Sequence, residues 1–144
     1  MHSVRDVIRN RSLVAVNPEQ SVYSVAVTMT EAGVGAVPVI EGDRLVGIFS
    51  ERDLLVRVVV PGRDPDAVQV AQVMTRDVIT ADIGDRTHPC MEKMRARNCR
   101  HLPVISDGRV IAMLSTRDFL RDELEERDEE IRNLRAYLHQ DGPH

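Results

Sequence analysis

Apolar residues recur along this chain with two periods, and the periods alternate. Leu13 to Val16 is a short β-rich run, and Val22, Val25, Ala26 and Met29 then fall at helical spacing. Ser21 stands just before them, where a hydroxyl can accept from the free amides of a helix start. Gly33 stands where the helix must stop, and glycine readily takes the left-handed backbone of a C-cap. Two further β-rich runs, Ala36 to Ile40 and Leu45 to Phe49, flank Glu41-Gly42-Asp43-Arg44 and predict a hairpin. A second helix opens at Ser50 and carries Leu54, Leu55 and Val58. The predicted order is strand, helix, strand, turn, strand, helix.

The same order is written again 65 residues later. GAVPVIEGDRLVGIFSERD, from Gly35 to Asp53, aligns without a gap on RHLPVISDGRVIAMLSTRD, from Arg100 to Asp118. Pro38 meets Pro103, Arg44 meets Arg109, Ser50 meets Ser115, Arg52 meets Arg117 and Asp53 meets Asp118. Upstream, Leu13-Val14 faces Val78-Ile79, Met29 faces Met94, and Gly33 faces Asn98, the next residue most tolerant of a left-handed backbone. This is a duplicated module. Each half is too small for a comfortable core, so the copies are expected to pack on each other about a pseudo-twofold axis. The expectation is an α+β fold with one copy over 1–66, a second over 67–120 and a charged amphipathic helix over 121–144, the loop Pro61 to Ala67 leading into the second copy.

Composition narrows the function classes. Hydrophobic residues make up 42% of the 144 and aromatics 3%, with no Trp, so the core is aliphatic. The net charge of -4 gives no basic field for nucleic acid, and any anion site must be local. No segment approaches the roughly 20 apolar residues of a membrane helix, and MHSVRDVIRNRS lacks the apolar run of a signal peptide. A cytoplasmic protein is expected, with Cys90 and Cys99 as reduced thiols.

VPVIEGDRLVGIFSERD and LPVISDGRVIAMLSTRD resemble the signature of cystathionine-β-synthase (CBS) domains, which come in tandem as a Bateman module. The resemblance covers Val4 to Leu120; VMTRDVIT, from Val73 to Thr80, resembles the entry to a second copy, and Arg57 with Gly62-Arg63 is similar to bacterial stand-alone pairs. It implies a regulatory module that binds an adenosine nucleotide such as AMP, ADP, ATP or NAD, with no obligatory cofactor. It further implies that Asp53 and Asp118 hold ribose hydroxyls, with Ser50 and Ser115 as neighbouring hydroxyls. Both motifs equally match a helix-capping box, and the two readings are compatible. For phosphate, Arg100 and His101 precede the second copy's hairpin where the first copy has Gly35-Ala36, so one site is expected to be stronger, with Arg52, Arg57 and Arg117 as further cations. Adenine would lie against Val14, Val16, Val37, Pro38, Ile79, Thr80, Leu102 and Pro103 by family position. Ala112 replaces Gly47 in the second motif, which puts that copy's fine geometry in question.

A rival grouping is His88-x-Cys90 with Cys99-x-His101, two nitrogens and two sulfurs for zinc. The repeat speaks against it, because Cys90 aligns with Val25 and Cys99 with Val34. No nucleophile and base are paired by motif, so no enzyme is expected. In the tail, Leu124, Ile131 and Leu138 recur at seven within an interrupted stripe that includes Leu120 and Leu134. That spacing fits helix pairing across a homodimer or a helix folded back on its own module, and Gln140 to His144 are expected to fray. The leading expectation is a homodimeric sensor acting on an unknown target protein; the alternatives are a ligand-free interaction scaffold and a metal-binding pair.

Overall fold

The computed structural model describes residues 2–140. A capped turn, α1 (Val4–Val7), precedes the first copy: α2 (Val22–Ala32), β1 (Ala36–Glu41), β2 (Arg44–Ser50) and α3 (Glu51–Leu54). The second copy follows as β3 (Ala81–Asp82), α4 (Thr87–Ala96), β4 (His101–Ser106), β5 (Arg109–Ser115) and α5 (Thr116–Gln140). The hairpins repeat down to their defects. Ala36 pairs with Ser50 and His101 with Ser115, and a bulge falls at Val39/Ile40 in one and at Val104/Ile105 in the other. Ser21 caps α2 through the amide of Ser24, and Gly33 closes it at φ 68°; Asn98 takes φ 51° at the matching place, as the repeat predicts.

The opening strand of each copy is shorter than expected. Leu13 and Val14 pair with nothing, and only Val16 forms a parallel bridge, to Val39. Pro18 follows at once, and without an N–H it cannot extend a ladder. Val78-Ile79 is likewise no strand; pairing begins at Ala81, which meets Val104. Two aliphatic cores result. Val22, Val25, Met29, Val37, Val39 and Phe49 fill the first, and Cys90, Met94, Leu102, Val104, Leu114 and Phe119 the second. β5 packs against β1 and β2, joining the halves.

The helices that close the copies differ. After one α-helical turn α3 widens into a π-helix over Leu55–Val59, ending at Gly62 with φ 75°. Leu55 is exposed beside Val56, Val59 and Val60. α5 instead runs 25 residues, and from Arg127 onward every residue to Gln140 is exposed, so the helix does not fold back over its module. Gln140 is helical; 141–144 lie outside the described residues.

Candidate functional site

Ser50 and Ser115 end their strands and become N-caps, which places Asp53 and Asp118 in the first turn of the following helix. The Ser50 amide and hydroxyl donate to Asp53 Oδ2 at 3.0 and 3.1 Å, and the Asp53 amide donates to Ser50 Oγ at 3.2 Å. Around Asp118 the same three bonds measure 2.8, 3.1 and 3.3 Å. These are capping boxes. Each carboxylate is buried, at 9% exposure, yet ionised carboxylates have lone pairs for further donors.

Those further donors come from the segment that enters the opposite copy. Thr75, on the way into the second copy, donates its hydroxyl to Asp53 at 3.2 Å, while Arg57 Nε stands 3.8 Å from Oδ1. One of the Arg57 guanidinium nitrogens donates to the carbonyls of Val73 and Met74, at 3.0 and 2.9 Å. Arg11, on the way into the first copy, instead grips Asp118 with both arms of its fork, at 2.6 and 2.9 Å. Burial would push the Asp118 carboxyl up, but the Arg11 and Ser115 donors outweigh it and hold the group below the usual carboxylate range.

A second inequality lies one strand away. Thr75 bridges Ile48 by two backbone bonds of 2.9 Å, passing directly over Gly47. A Cβ on Gly47 would stand 2.6 Å from Met74 Sδ and 2.9 Å from the Thr75 carbonyl oxygen, so only glycine admits the crossing. Ala112 fills that space in the second copy. There the equivalent segment makes no backbone bridge to β5 among the described residues; the Arg11 side chain reaches across to the Met113 carbonyl, at 3.2 Å, and to Asp118.

The other residues singled out from sequence scatter by environment. Arg52, Arg57, Arg100 and Arg117 are exposed, and Thr80 is half-buried with its carbonyl accepting from Lys93. Val16, Val37, Pro38, Leu102 and Pro103 are buried among the cores and hairpins. His101 lies between the copies near Glu51 and Gly35; burial lowers its pKa, against the pull of the Glu51 and Asp118 carboxylates. Sequence reasoning missed Thr75 and Arg11. The signal was present, because extending the 65-residue register upstream sets Thr75-Arg76 on Asn10-Arg11.

His88, Cys90, Cys99 and His101 do not assemble into a metal cluster. Among the described residues the one grouping of three possible metal donors is His2, Asp122 and Glu126, where the His2 imidazole pairs with the Asp122 carboxylate. Burial pushes both cysteine thiols up, as suits core residues. A cavity of about 290 Å³ opens between α4 and the start of α5, lined by Met91, Met94, Cys99 and Phe119, away from both capping carboxylates.

Comparison with known proteins gives this geometry a context. The CBS domain model matches residues 4–60 and again 70–125. The mitochondrial CBS domain-containing protein CBSX3 of Arabidopsis thaliana is 34% identical over 125 residues, 83% of this chain; the chain spans 61% of that relative's length. The crystal structure of the CBS domain NE2398 superposes with a TM-score of 0.80 at 32% identity, covering 85% of this chain and 98% of that one. The CBS domain protein PAE2072 of Pyrobaculum aerophilum, solved in complex with AMP, matches with a TM-score of 0.75 at 28% identity over 81% of this chain and 89% of its own. Two family matches in one chain, with hairpins, bulges and capping carboxylates repeating at a spacing of 65, make this protein a member of the CBS-domain family, a tandem pair.

Proposed function

We propose that this pair is a non-catalytic sensor that binds an adenosine nucleotide through its capping carboxylates and passes the event to a separate target protein by rearranging itself or its homodimer. One observation carries the reading: two buried carboxylates, each held in place by its own helix cap, receive their remaining donors from segments that precede the opposite copy in sequence and pack into the carboxylate's own core. A ribose diol that takes over those donors' places releases the crossing segment that joins the copies from the helix cap it rests on, which is the differential affinity a signal needs. The AMP complex of PAE2072 supports the ligand class. Asp53 is the more available anchor, because its extra donor is a neutral hydroxyl, whereas a ribose at Asp118 must displace a bidentate guanidinium. Around Asp53 and Asp118 no thiol or histidine stands paired as nucleophile and base among the described residues.

The internal satisfaction of both carboxylates also favours a second reading, a ligand-free scaffold in which the motifs only cap helices. Thermal unfolding with AMP, ADP, ATP, NAD or S-adenosylmethionine separates the two. A ligand at about 100 times its dissociation constant adds roughly 2.7 kcal/mol to native stability. The expected result is a shift for an adenine ligand that Asp53→Ala abolishes; absence of any shift leaves the scaffold.

A further inference from the structure

The final 14 residues of α5, Arg127 to Gln140, are all exposed. A free helix of about that length is marginal in water, and this one carries a bare apolar stripe. Leu120, Leu124, Ile131, Leu134 and Leu138 are exposed by 49% to 60%. The residues by which α5 rests on its module, Phe119, Asp122 and Glu126, lie elsewhere on its circumference. At 3.6 residues per turn those resting residues lie roughly 100–160° from the centre of the stripe, so the stripe faces away from the module.

We propose that the stripe is covered by α5 of a second copy, running antiparallel. The positions 120, 124, 127, 131, 134 and 138 keep one unbroken heptad seam of alternating a and d sites, with Arg127 as its only polar member. The seam is also palindromic about residue 129. In an antiparallel pair Leu120 packs on the partner's Leu138, Leu124 on the partner's Leu134, and Arg127 on the partner's Ile131. Every apolar position then finds a partner.

Charge selects the same orientation. Residues 121–130 hold seven carboxylates and two guanidiniums, net -5, whereas 131–140 hold two arginines and no acid. A parallel pair would lay one -5 segment along the other and face Arg127 with the partner's Arg127. The antiparallel pair sets each acidic half on a basic one and brings Arg127 beside the partner's Asp128 and Glu130. This names the contact of the proposed homodimer, and its test uses no nucleotide, so the two ideas fail separately.

Full chains carrying Leu124→Cys and Leu134→Cys are mixed, oxidised mildly, and their joined peptides identified by mass spectrometry, which sets native cysteines aside. The 124–134 product should exceed 124–124 and 134–134 at least about tenfold. Dominant 124–124 and 134–134 products overturn the orientation, and no joined peptide overturns the pairing. Ile131→Glu with Leu134→Glu should raise the dimer dissociation constant about 100-fold or more in sedimentation equilibrium, with thermal unfolding unchanged at concentrations below the wild-type dissociation constant. A wild-type chain that is monomeric at every concentration, or a variant that dimerises as well as wild type, overturns the proposal.

Discussion

Around Asp53 the chain crosses low over Gly47, two backbone bonds tie Thr75 to β2, and a hydroxyl completes the carboxylate. Around Asp118 no backbone bridge ties the crossing to β5 among the described residues, and the long reach of Arg11 substitutes for the missing ladder. The same cap on two copies thus ends in a hydroxyl with a guanidinium standing 3.8 Å off on one side, and in a close bidentate ion pair on the other. Two differences accompany the divergence: Ala112 stands where the first copy has Gly47, and Asn10-Arg11 stands where the second crossing has Thr75-Arg76.

The largest effect expected from disturbing that comparison is on stability. Gly47→Ala forces the Met74–Thr75 segment off β2 and should cost about 1–3 kcal/mol in urea unfolding, as overpacked cores do. The added methyl should also release the Thr75 hydroxyl from Asp53. A variant as stable as wild type would mean that the crossing does not depend on glycine.

Removing Arg11 acts on the other side. At neutral pH Arg11→Ala leaves a buried carboxylate without its charged donor and should cost about 1–2 kcal/mol. The folded pKa of Asp118 lies below its unfolded 3.8, so the stability it contributes is present above that value and is lost as pH falls through the folded one. The gap between wild type and variant should therefore close in acid; a gap that persists there would mean that Arg11 acts by packing. If nucleotide binds through these carboxylates, calorimetry should find the variant's Asp118 half-site more receptive than wild type's.

The smallest effect belongs to His101. Its folded pKa lies below 6.5, mainly because of burial, so the unfolded chain takes up the proton first. Its contribution is present above about pH 6.5 and falls as pH drops towards the folded value, at a slope no steeper than 1.36 kcal/mol per pH unit for one proton. Unfolding of His101→Gln should show a flatter profile in that window, and an unchanged profile would remove His101 as its cause.

The hairpins, the helix starts and both capping carboxylates were legible because local chemistry writes them: Ser before helix, glycine in turns, alternation in strands. Gly33 and Asn98 were readable as helix stops for the same reason. The exchange between copies was not. Arg11 lies before the first predicted element and looks like one of 18 arginines; nothing local says that it reaches a carboxylate in the other half. The opening strands were overread because Leu13 to Val16 has β-prone residues, yet it meets the sheet only at Val16.

Seen as a problem of chain closure, the two carboxylate partners are far from equivalent. Thr75 is 22 residues from Asp53, and Arg11 is 107 from Asp118. Loop entropy grows with the logarithm of length, so the longer loop costs roughly 1.4 kcal/mol more to close. The Arg11 fork can engage only after the chain's N-terminal segment has docked on the second copy, whereas the Thr75 hydroxyl needs little more than the first copy and the linker. Order of assembly is therefore inscribed in the duplication: one clasp is fastened from nearby, and the other waits for the ends of the module to find each other.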